Sequence, residues 1–143
     1  MNTHQLSERL AEEGCNPHLY AIGTRGNASD AFCLTHNGTE WQIYYTERGR
    51  DDAPIYVSKE EPLACEFFFK HIMEMRHDHC VGIFRSQEDA NRLTAKLKEG
   101  DIQSWQDKIP YGGARAPRFR VFVVGKAIFA AQAIIEELSS GKT

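Results

Sequence analysis

Apolar positions along this chain alternate between two periods. From Thr3 to Glu13, Leu6 and Leu10 stand four apart among Glu8, Arg9, Glu12 and Glu13, and Gly14 follows. That spacing predicts a short amphipathic helix with a polar outer face. The period then shortens to two. Leu19 to Ile22, Ala31 to His36, Thr39 to Thr46 and Ile55 to Val57 are predicted strands. Asn37-Gly38 between two β-rich runs predicts a hairpin with a type I′ turn, both residues tolerating positive φ. Trp41, Ile43 and Tyr45 then share one face of the third strand, and Gln42, Tyr44 and Thr46 the other.

Helical spacing returns at Ser58, with Glu61 at the capping-box position, Pro62 in the first turn, and Leu63, Phe67, Phe68 and Ile72 as the apolar stripe, ending near Arg76. Cys80 to Phe84 is a predicted strand with Val81 and Ile83 on one face. Ser86 caps a helix with Asp89 at the box position, Ala90, Leu93, Thr94 and Leu97 inward, and Gly100 as its stop. Asp101 to Pro117 is expected to be irregular, Arg118 to Val124 a strand, and Ala127 to Leu138 a final helix. The expected fold is therefore α+β, a mixed and mostly antiparallel sheet with packed helices, in the order α-β-β-β-β-α-β-α-β-α. Residues 1–143 are expected to form a single domain, with 77–79 as the candidate hinge between subdomains.

Composition adds little to this picture. The 143 residues, 41% apolar and 26% charged, are those of an ordinary globular chain, and the net charge of −3 offers no basic footprint for nucleic acid. Arg115, Arg118 and Arg120 are too short a cluster to supply one. Met1 to Gly14 is polar and lacks the apolar stretch of a secretory signal, and the longest apolar run, Ala127 to Ile135, is broken by Gln132. The expectation is a cytoplasmic protein without membrane association. Cys15, Cys33, Cys65 and Cys80 form no C-x-x-C pair. They read as free thiols, with Cys65 and Cys80 buried.

Candidate chemistry is sparse. His77-Asp78-His79-Cys80 has metal-ligand residue types, but a zinc centre needs three or four converging ligands, so no metal and no cofactor are expected. No cysteine stands where a nucleophile would be activated. Gly23-Thr24-Arg25-Gly26 lacks the following helix and the Lys-Ser/Thr ending of a phosphate loop. Tyr111-Gly112-Gly113 reads as a turn. Of the adjacent carboxylate pairs, only Asp51-Asp52 falls in a loop, where it joins Glu47 in a surface acidic patch interrupted by Arg48 and Arg50. If the second face of the small sheet is open, Tyr44 and Tyr56 suit a protein interface; the alternative is that helices cover both faces.

The run Trp41-Gln42-Ile43-Tyr44-Tyr45-Thr46-Glu47-Arg48-Gly49 carries a resemblance, together with its setting. Leu10-x-x-x-Gly14, Tyr20-x-x-Gly23 and Phe32-Cys33-Leu34 precede it, and an acidic helix start and Ala64-Cys65-x-Phe67-Phe68 follow. Over residues 6–70 the chain resembles the small immunity proteins of bacterial polymorphic toxins and contact-dependent growth inhibition. The resemblance implies a non-enzymatic cytoplasmic protein that binds one cognate toxin domain, of basic character if a nuclease, and blocks its active site. It carries over no binding residue by position. Glu47, Asp51 and Asp52, with Tyr44 as the matching aromatic, are the expected partner-binding set. The alternatives are a ligand-binding or enzyme domain using the His77–Cys80 region and the Tyr111–Gly113 loop, or a protein–protein adaptor.

Overall fold

A computed structural model describes residues 1–111, 113 and 115–140, the side chains as far as residue 138. The chain falls into two compact units, Met1–Arg76 and His77–Thr143. The fold is α+β with mixed sheets, as its hydrophobic periods predict.

In the first unit, helix α1 (Thr3–Glu12) opens with a complete capping box, the Asn2 side chain accepting from the Gln5 N–H and the Gln5 side chain from the Asn2 N–H. It ends in a Schellman motif: Cys15 N–H donates to Leu10 O at 3.1 Å and Gly14 N–H to Ala11 O at 3.1 Å, with Gly14 at φ +73°. Strands β1 (Tyr20–Gly23), β2 (Ala31–His36), β3 (Trp41–Glu47) and β4 (Arg50–Asp51) lie in sequence order, and β5 (Tyr56–Ser58) also pairs with β3. Only β1 and β2 run parallel. Helix α2 (Glu61–Met73) follows. Leu34 and Ile43, directly paired across β2 and β3, pack with Leu6 and Leu10 of α1 and with Ala64, Cys65, Phe68 and Ile72 of α2.

Several expectations change here. The turn after β2 is not type I′, because of Asn37 and Gly38 only Gly38 takes positive φ, at +95°. Asn37 instead turns its side chain onto the loop, accepting from the N–H groups of Thr39 and Glu40 at 2.9 Å each. The two adjacent positive-φ residues of a type I′ hairpin are Arg48 (+51°) and Gly49 (+78°), between β3 and β4. The capping box at α2 is absent too. Ser58 Oγ accepts from the Glu60 N–H, Glu60 is the N-cap, and the Glu61 carboxylate accepts from the Thr3 N–H at 3.0 Å. That bond ties the start of α2 to the start of α1. Helix α2 stops at Met73, and Leu63 is 47% exposed, because the inward stripe runs through Ala64, Cys65, Phe68 and Ile72.

The second unit is β6 (Asp78–Phe84), α3 (Gln87–Glu99), β7 (Trp105–Ile109), β8 (Arg118–Val124) and α4 (Ala127–Ser140). Its antiparallel sheet has the order β6-β8-β7. Ala90, Leu93 and Leu97 of α3 and Ala131 of α4 meet Val121 and Val123 of β8. The Asp101–Pro117 stretch is therefore not irregular throughout, since it contains β7. Of the Tyr111–Gly113 turn, Gly112 lies outside the described residues.

A β-bulge between Cys80 and Gly82 splits the expected face of β6. Val81 and Phe84 pack on the core while Ile83 is 58% exposed. Cys80 is exposed as well, contrary to expectation. Gly82 is needed in this bend, because a Cβ there would lie 2.6 Å from the Phe84 ring and 3.0 Å from Leu93.

Helix α3 ends in the same motif as α1. Ile102 N–H donates to Leu97 O at 2.9 Å and Asp101 N–H to Lys98 O at 3.0 Å. Gly100, the expected stop, has an ordinary φ of −86°, and the left-handed residue is Asp101 at φ +61°. Glycine at Asp101 is therefore expected to stabilise the protein by about 0.5–1 kcal/mol, since only glycine occupies that conformation without a Cβ penalty. A higher denaturation midpoint for Asp101→Gly checks this; a lower one contradicts it.

All four cysteines are free, and Cys15, Cys33 and Cys65 are buried. Burial pushes the Cys65 thiol up to about 11, helped by the Glu61 charge and opposed by the N-terminal ammonium. Burial also raises Cys15 and Cys33 above the ordinary 9.0. A raised thiol pKa stabilises the fold below the unfolded value and loses that effect as pH climbs through the folded one. Stability should thus fall between about pH 9 and 11, read as a lower denaturant midpoint at pH 10.5 than at pH 8. Cys65→Ala should flatten that fall; an unchanged slope would show that the thiol is not sheltered.

Candidate partner-binding surface

The β3–β4 hairpin is fixed from beneath. Thr46 is fully buried, and its hydroxyl donates to Asp51 Oδ1 at 2.7 Å. Arg25 Nε reaches the same oxygen at 3.2 Å, and the Arg48 N–H donates to Ser29 Oγ at 3.0 Å. The Gly23–Gly26 segment thus supplies an arginine to a structural pair, and the 24–30 loop is stitched to the hairpin tip.

The Thr46–Asp51 and Arg25–Asp51 contacts lie on the second face of the sheet, the face of Thr46. Ala31, Cys33, Tyr44 and Thr46 are all buried on it. Arg25 and Asp51 lie close enough to act on the Cys33 thiol, where burial dominates, Asp51 raises and Arg25 lowers its pKa. Polar loop segments therefore contribute to closing this face, where the sequence suggested an open aromatic face or a second helical layer. Tyr44, only 7% exposed, offers no ring to a partner. Tyr56 is also engaged, stacked on Phe67 of α2 at 4.3 Å between ring centres. Asp51 is exposed but already bound to Thr46 and Arg25.

Glu47 and Asp52 remain outward as expected. They act on Tyr45, which the sequence places on the same face of β3 as Trp41 and Ile43. Partial burial raises its phenol above the ordinary 10.0, and the carboxylates of Asp30, Glu47 and Asp52 add to the rise. Three negative charges from two segments thus act on one phenol of β3. Tyr45 pairs across the ladder with Phe32, the rings 5.0 Å apart, which fixes the phenol's position. Sequence reasoning missed Asp30, which stands just before β2 at a positive φ of +55°.

Charge is unevenly divided. Met1–Arg76 holds twelve Asp and Glu against seven Lys and Arg, formally −5, whereas His77–Thr143 holds eight against ten, formally +2. The modest total of −3 hides this difference.

Several polar groups of the second unit engage one another. Arg120 and Asp107 form a two-pronged ion pair across β8 and β7, with Nε to Oδ1 at 2.8 Å. The hydrogen bond from Arg120, aided by its charge, holds the Asp107 carboxyl below its usual value against the opposing effect of burial. Trp105 stacks on Phe122 at 4.2 Å and donates its indole N–H to Asp78 at 2.8 Å. His77 is buried whereas Cys80 is exposed, so the two are not presented together. Among the described residues, no three His, Cys, Asp or Glu side chains converge as a metal set. An open cleft of about 410 Å³ lies between Thr94, Lys98, Asp101, Ile102, Gln103 and Ser104. Among the described residues, no helix is long and apolar enough to cross a membrane.

Comparisons with protein-family models, with curated proteins and with solved structures find no match to this chain.

Proposed function

We propose that this protein is a non-enzymatic, cytoplasmic immunity protein that binds and neutralises a basic toxin domain, with a nuclease as the kind of toxin its charge suits. The observation that carries the proposal is that three exposed carboxylates, Asp30, Glu47 and Asp52, all act on the Tyr45 phenol, on a unit of formal charge −5. Exposed carboxylates attract a basic surface during encounter, and a half-buried aromatic side chain that feels their charges can supply contact area at low entropic cost. The hairpin is held by Thr46, Arg25 and Ser29 before any partner arrives, so little ordering remains to oppose binding. The run from Trp41 to Gly49 that resembles immunity proteins includes β3 and the tip of this hairpin.

The test is purification of this protein with the domain encoded by the adjacent gene. A tight one-to-one complex is the expected result. Two proteins that elute separately at low salt would contradict the proposal.

A further inference from the structure

We draw no further inference here: the strongest candidate, the face of the β6-β8-β7 sheet that carries the Trp105–Phe122 stack with Ile83 and Val124 exposed beside it, carries nothing because nothing in the structure shows what covers it.

Discussion

Reversing Asp30, Glu47 and Asp52 to lysine is expected to weaken partner binding by about 100-fold at low salt, chiefly by slowing association. Each reversal replaces attraction toward a basic surface with repulsion, and all three carboxylates act on the Tyr45 phenol. The same variant should lose most of the salt dependence of the association rate, because salt screens only the long-range attraction it has removed. The fold should survive with a small loss of stability at Asp30, whose φ of +55° suits aspartate better than lysine, since the three side chains are exposed and lie outside the Thr46–Asp51–Arg25 contacts. Asp51→Lys is a different experiment. It breaks the bond to Thr46 and sets a lysine against Arg25, so its first effect is on stability. Stopped-flow association over a salt series separates the two. An unchanged on-rate in the triple variant would remove this surface from the account.

Phe68→Ala is expected to cost about 3–5 kcal/mol, the range for deleting a large buried aromatic side chain. Phe68 is fully buried at the centre of the first unit's core, and its ring meets Tyr20 edge-on at 6.4 Å. A whole domain is commonly stable by only about 5–15 kcal/mol, so this one change consumes a large share. Leu63→Ala in the same helix is the control. At 47% exposure it should change stability by about 0.5 kcal/mol or less. Equal costs at the two positions, measured by chemical denaturation, would mean that the inward stripe of α2 is misplaced.

Where burial follows a clean period, the sequence disclosed the fold. Leu6 and Leu10 and the Ala90–Leu93–Leu97 stripe predict elements that the structure contains. Strand β7 was not legible because its inward-facing position is polar. Gln106 faces α3 and donates to Thr94 at 2.6 Å, while Lys108 lies over the Phe119 ring. Hydrogen bonds there take the place of the apolar alternation that announces a strand. The bulge in β6 was hidden for a related reason. A one-residue slip exchanges faces without changing composition, so Ile83 reads inward and stands outward.

The surface was half legible. Glu47 and Asp52 follow from charge in a loop, but choosing between Tyr44 and Tyr45 required knowing what covers each face. Tyr44 is buried on its face, to whose cover the polar loops contribute near Cys33, a tertiary fact with no local signal. Tyr45 lies on the face it shares with Ile43, and no local signal shows that its phenol comes within reach of the Asp30, Glu47 and Asp52 charges. The type I′ turn was misplaced because Asn-Gly is its strongest composition signal. Asn37 instead spends its side chain on Thr39 and Glu40, leaving the double positive φ to Arg48 and Gly49.

The most direct measurement is the survival of cells that express the domain encoded by the adjacent gene, with and without this protein. Cells carrying the protein are expected to grow, cells lacking it to die, and the Asp30, Glu47 and Asp52 reversal to protect poorly. Equal survival with and without the protein would contradict the immunity function itself. Full protection by the reversed variant would leave that function standing and show that another surface carries it.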